Sequence, residues 1–164
     1  MDRINKIIFD EDYCLYLHKN NVEEKNRVFC KHHFEHLIAV ARLTYLLILE
    51  ESSPFISREI AYAAGLLHDI GRWNQYQTEA DHAKISSNLA DPILDKAGFP
   101  EAERKLIQKA IAQHRLEDER NQHITPLSKA LKKADDLSRL CYCCSARHNC
   151  KKLNKQPQRE RLIY

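Results

Sequence analysis

Glycine is scarce: the 164 residues contain 3. A sheet joined by tight hairpins needs more left-handed turn positions than that, so the scarcity favours helices. No apolar run approaches the ~20 residues that span a bilayer, and none near the start is long enough for a signal peptide. Strand-like alternation, internal repeats and low-complexity linkers are also missing. A net charge of +3 makes the chain no polycation. These absences point to a soluble, cytoplasmic all-α domain with a real core, in which cysteines stay reduced unless they hold a metal.

The charge that is there is unevenly placed. Residues 145–164 carry Arg147, Lys151, Lys152, Lys155, Arg159 and Arg161 against Glu160 alone, so this end is about +5 and the remainder about −2. The basic end could touch an acidic partner or simply be solvated, and no nucleic-acid recognition motif accompanies it.

Helical spacing organises the middle of the chain. Residues 1–29 are mixed and charged, with a short helix expected over Asp10–Lys19. From His32, the residues Leu37, Val40, Ala41, Thr44, Leu47 and Ile48 recur on one face until Ser52-Ser53-Pro54. Ser57 suits the N-cap of a helix ending near His68. Residues 70–80 read as a loop. A helix over His82–Ala97, interrupted or kinked near Pro92, stops at Gly98, and Pro100 opens another that runs to about His114. Residues 115–124 read as an exposed loop, and Pro126 opens the last helix, through about Leu140. The expectation is one bundle of about six helices over 1–140, with its core in 28–140, and a cysteine-rich basic extension over 141–164 packed on it.

Polar residues fall on the apolar faces. His36 shares a face with Val40, Leu43 and Leu47; His68 with Ala61, Ala64 and Gly65; His82 with Ile85, Leu89 and Ile93; His114 with Ile107, Ala110 and Ile111. Asp135 lies over Leu131, whereas Asp136 lies over Lys132 and Lys133. One inward histidine is ordinarily a hydrogen-bonded core residue, but a buried unpaired carboxylate is costly. Four histidines, Asp135 and Asp69 together are explained by divalent metal, which keeps the imidazoles neutral and compensates the carboxylates. Nitrogen and oxygen donors suit iron, manganese or a similar ion, and zinc fits as well.

His36, then His68-Asp69, then Asp135 within Ala134-Asp135-Asp136-Leu137-Ser138-Arg139 resemble the H…HD…D pattern of the HD-domain metal-dependent phosphohydrolases, over roughly residues 28–140. That resemblance implies an all-α HD-domain bundle and hydrolysis of a phosphate ester or anhydride of a small, nucleotide-like substrate. His82 and His114 fall where the two-metal branches place further ligands. That branch looks like the bacterial HD-domain diadenosine tetraphosphatases, although Ala83 replaces their usual glycine and Arg115-Leu116-Glu117 their usual turn. The implied metal set is His36, His68, Asp69, His82, His114 and Asp135, with Asp69 bridging two ions and acting in catalysis. Arg72, just past the pair, could clamp a phosphate and so joins Asp69 as a catalytic residue. Lys84 could also hold phosphate, or be a surface cation. Trp73 and Tyr76 could stack on a base or pack their loop, and His32 could orient a ligand or phosphate or cap its helix. A catalytically silent HD module that senses a nucleotide or metal is the alternative function.

Cys141-x2-Cys144-x5-Cys150 has knuckle-like spacing, and Cys30 precedes the helix of His36. These four could hold structural zinc or an iron–sulfur cluster, or be reduced buried thiols or an adventitious disulfide, with Cys143 to spare, and the sulfur-rich basic end could instead bind a partner.

Overall fold

The 17 residues Phe34–Glu50 form the helix on which the others stack. The computed structural model describes residues 1–51, 55–116, 124–155 and 162. Among these are nine α-helices and no strand: α1 (Asp2–Ile8), α2 (Glu11–Glu23), α3 (Phe34–Glu50), α4 (Arg58–Leu67), α5 (Arg72–Thr78), α6 (His82–Ala97), α7 (Glu101–Gln113), α8 (Pro126–Leu137) and α9 (Lys151–Lys155). The all-α bundle is as expected, with two more helices in its body than the periodicity suggested and a short ninth beyond it.

α3 packs against α4 and α8, and α6 pairs with α7. Leu37, Val40, Ala41, Leu47 and Ile48 of α3 are buried, which is the apolar face read from the sequence. Gly65 lets α3 and α4 meet at backbone distance: a Cβ there would lie 2.3 Å from the Cα of Ala41. Ser57 caps α4, its side chain accepting from the amide of Ile60 at 3.3 Å. Gly98, at φ 88°, ends α6 in the left-handed conformation. α6 runs through Pro92 without a break; Pro92 and Asn88 are both exposed, so water can serve the carbonyl whose partner proline removes.

The differences from the sequence reading lie in polar segments. α1 was not anticipated, because only Ile4 and Ile7 of its seven residues are buried, too few to establish a period. Arg3 pins it, bonding Glu59 and Glu103 and stacking 4.0 Å over Phe99. α2 runs four residues beyond Lys19, and α3 begins at Phe34 rather than His32. α8 stops at Leu137, before Leu140. Residues 72–78, read as loop, are α5, which buries none of its residues fully and is held by polar contacts. The Trp73 amide donates to Asn20 Oδ1 at 2.7 Å and Tyr76 Oη to Glu24 Oε1 at 2.5 Å. Residues 52–54, most of the 115–124 loop, and Arg159, Glu160 and Arg161 of the basic end lie outside the described residues.

The two glycines separate packing from conformation. Gly65→Ala is expected to lower unfolding free energy by about 2 kcal/mol, since backbone must move. Gly98→Ala, with open space around it, should cost about 1 kcal/mol through strain alone. Urea titration of both variants checks the order.

Candidate metal centre

The histidines and the aspartate of the expected metal set sit at helix ends. His36 lies in the first turn of α3, His82 opens α6, His68 and His114 are the C-caps of α4 and α7, and Asp135 is in the last turn of α8. Asp69 follows in the turn after α4, and His32 sits just ahead of α3. Side chains from five helix ends therefore converge while the apolar faces below them form the core. His68, Asp69, His82 and His114 are buried.

Hydrogen bonds hold each imidazole by its Nδ1 edge. His68 Nδ1 donates to the Gly65 carbonyl at 2.7 Å and His114 Nδ1 to the Ile111 carbonyl at 2.6 Å. Ser138 Oγ donates to the Asp135 carbonyl at 2.8 Å and so accepts from His36 Nδ1 at 3.2 Å. His82 Nδ1 meets Gln75 Oε1 at 2.5 Å, and His32 Nδ1 meets the buried Glu24 carboxylate. In the neutral form this leaves a lone pair on every Nε2.

Those lone pairs face carboxylates. His68 Nε2 is 3.4 Å from Asp69 Oδ2 and 3.9 Å from Asp135 Oδ1; His36 Nε2 is 3.2 Å from Asp135 Oδ1. His32 Nε2 is 3.5 Å from Asp69 Oδ2. On the other carboxylate oxygen, His82 Nε2 is 2.9 Å and His114 Nε2 3.8 Å from Asp69 Oδ1. His36 Nε2, His68 Nε2 and Asp69 Oδ1 are buried without a hydrogen bond. Neutral imidazoles facing carboxylates set acceptor against acceptor, a conflict that a cation or a ring proton resolves, and histidines held by the other ring nitrogen are the usual metal-binding arrangement. The donors form two groups, His36, His68, Asp69 and Asp135, and Asp69, His82 and His114, each with ligand atoms within 4.8 Å of one another. The residues thus fit divalent metal, and Asp69 belongs to both groups.

Electrostatics agree. Burial pushes the imidazoles of His36 and His114 down to about 4. Burial acts on His68 as well, but the charges of Asp69 and Asp135 outweigh it and hold this one imidazole up to about 10. Burial alone would raise both carboxyls; the cationic neighbours, His68 first for Asp69 and Arg139 first for Asp135, take them well below the usual range. Without metal, one proton on His68 therefore does part of the work of an ion.

Other expected residues take distinct places. Arg72 reaches the centre: its Nη1 is 4.0 Å from Asp69 Oδ1, and its Nε donates to Tyr76 Oη at 3.2 Å. Trp73 is half-buried with the Lys19 ammonium 4.2 Å over its ring, so that face is closed to a stacking base. Lys84 is exposed on α6. His32 is buried, and hydrogen bonds from it and from Tyr76 overcome burial to bring Glu24 down to about 2. Glu24, Gln75, Ser138 and Arg139 are supporting residues that sequence reasoning missed. Arg139 Nη2 donates to Asp135 Oδ1 at 2.7 Å, a contact that i,i+4 spacing could have revealed. Glu24 lies on no apolar period, and no spacing marks it.

Metal uptake should expel the proton from His68, so apparent affinity should rise with pH across neutrality. Calorimetry in buffers of different ionisation enthalpy reads the released proton. Adding manganese or zinc to chelator-treated protein should raise Tm, and Asp69→Ala should abolish that rise.

The family profile described as "HD domain" matches residues 33–140. A Clostridium beijerinckii protein described as "Uncharacterized protein" is 39% identical over 150 residues, which cover 92% of this chain and 92% of that one. No solved structure matches. With the helical bundle and the His/Asp cluster both in place, the chain belongs to the HD-domain superfamily of metal-dependent phosphohydrolases.

Proposed function

We propose that this chain hydrolyses a phosphate ester or anhydride of a small, nucleotide-like substrate, with a dinucleoside polyphosphate one member of that class. The observation that carries the reading is the divided Asp69 carboxylate, Oδ2 toward His68 and Oδ1 toward His82 and His114. His36, His68, Asp69 and Asp135 would hold one divalent ion, and Asp69, His82 and His114 a second; iron, manganese or a similar ion suits these donors, and zinc is accommodated. Bound there, such ions supply Lewis acidity at a phosphoryl oxygen and make water acidic near neutral pH.

The chain's own side chains do the rest. Arg72 binds phosphoryl oxygens; its guanidinium is oriented by Tyr76, which also holds Glu24. Arg115 Nη1, 3.5 Å from His82 Nδ1 and 3.9 Å from Asp81 Oδ1, adds a second cation at the edge of the centre. His32 Nε2 takes up a proton from the attacking water, while the ionised Glu24 on Nδ1 stabilises the imidazolium that results. Burial of this dyad keeps bulk water from exchanging that proton.

A panel of nucleotides, dinucleoside polyphosphates and simple phosphate esters, with manganese, iron, cobalt or nickel added, tests the reading. Turnover should vanish with chelator and fall at least ~100-fold in His68→Ala and Asp69→Ala. Arg72→Ala should lower kcat/KM about 10–100-fold, the worth of a charged hydrogen bond, while Lys84→Ala should stay within about twofold. Undiminished hydrolysis in Asp69→Ala sinks the mechanism. Metal binding without turnover of any substrate leaves the sensing module.

A further inference from the structure

A second site adjoins the centre. A cavity of about 370 Å³ has Cys30, Cys141, Cys144 and Cys150 in its wall, together with His36 and Arg139. It is a half-open pocket rather than an enclosed void, and it is walled largely by apolar and sulfur atoms. None of the chain's cysteines is joined in a disulfide.

Local backbone brings three of the cysteines to one wall. Residues 141–143 and 147–149 form two short 3-10 turns. Successive turn hydrogen bonds, Cys144 N to the Cys141 carbonyl, Arg147 N to the Cys144 carbonyl and Cys150 N to the Arg147 carbonyl, fold the segment back at each cysteine of the x2, x5 spacing. Cys143, off that spacing, is exposed, as is Cys14 far away. Leu153 of α9 is buried and closes the same wall, and Cys30 comes to it from the segment leading into α3. Four cysteines from two distant segments therefore share one cavity, and the other two do not.

The sulfurs are not gathered to the spacing of a single ion. A single tetrahedral zinc ion, with Zn–S of about 2.3 Å, needs its sulfurs about 3.8 Å apart. Among the described residues no three cysteine sulfurs lie within 4.8 Å of one another, although the His/Asp ligands next door are already gathered to that distance. An iron–sulfur cluster instead takes one thiolate at each outer corner of a core several Å across, and both common nuclearities use four thiolates. Its thiolates leave a net negative charge, and Lys31, Arg139 and Arg147 in the same wall are cationic. We infer that Cys30, Cys141, Cys144 and Cys150 bind an iron–sulfur cluster in this cavity, separate from the His/Asp centre. Assembly takes ferrous and ferric iron with sulfide, which for a four-iron core is two of each iron, four sulfide ions and four thiolates; no oxidation state changes and the four thiol protons are released.

The test is purification of the full chain without oxygen, followed by reconstitution with ferrous and ferric iron and sulfide. Equimolar iron and acid-labile sulfide, beyond the iron that Asp69→Ala removes, are expected with visible charge-transfer absorption. Serine at any of the four positions should reduce labile sulfide at least fivefold, whereas Cys143→Ser and Cys14→Ser should retain it. Asp69→Ala should also retain it, so failure of the hydrolase reading and failure of this one are distinguishable. In the reconstituted wild-type chain, alkylation should label Cys14 and Cys143 and spare the other four, a reading that requires no variant to fold. Absence of labile sulfide after reconstitution overturns the inference. So does stoichiometric zinc lost with the four cysteines, which would make the site mononuclear. A nucleotide or phosphate that protects the cavity with no sulfide present would make it a substrate subsite and overturn it equally.

Discussion

Five imidazoles and two carboxylates crowd one buried space, and His36 Nε2, His68 Nε2 and Asp69 Oδ1 are left there without a hydrogen bond. That conflict sets the requirements on everything around it. Each imidazole must be anchored by its far edge, so helix-end carbonyls at Gly65 and Ile111 and side chains at Ser138, Gln75 and Glu24 are assigned to that task. The carboxylates must keep cations close, so Arg72 and Arg139 lie against them. Helix ends, where carbonyls are unmatched by the helix itself, are the natural places to find such anchors.

The fold's centre was legible because burial writes itself into period. α3, α4, α6, α7 and α8 each carry an apolar stripe, and the histidines and Asp135 stood out as polar residues on it. Asp135 was distinguishable from Asp136 on the same ground. α1 and α5 were illegible because their stability comes from partners elsewhere: Arg3 with Glu59 and Glu103, Tyr76 with Glu24, Trp73 with Asn20. A helix held by cross-chain polar contacts has no one-dimensional signature. Glu24 escaped for the same reason, since its value lies in a contact with His32 and Tyr76. The cysteine spacing was visible, but that three tail sulfurs and Cys30 share a wall is a fact of tertiary structure alone.

The two sites of the molecule meet at Arg139. Its Nη2 holds Asp135, its Nη1 donates to the Lys31 carbonyl at 3.3 Å beside Cys30, and the residue lines the sulfur-walled cavity. One guanidinium therefore neutralises a carboxylate of the His/Asp centre and ties down the segment that delivers a cysteine. Burial works against its charge, but Asp135, Cys30 and Asp69 hold it above its usual range, so it keeps that charge throughout.

Gly65 unites two roles that are usually separate. Its missing side chain sets how closely α3 and α4 approach, and its carbonyl fixes the ring of His68 three residues on. His36 rides on α3 and His68 caps α4, so the interval between these two donors is a backbone dimension rather than a rotamer choice. The bundle thereby acts as a gauge: a drift in the packing of α3 on α4 would pass directly into the separation of these two rings, with no side-chain rotation to absorb it.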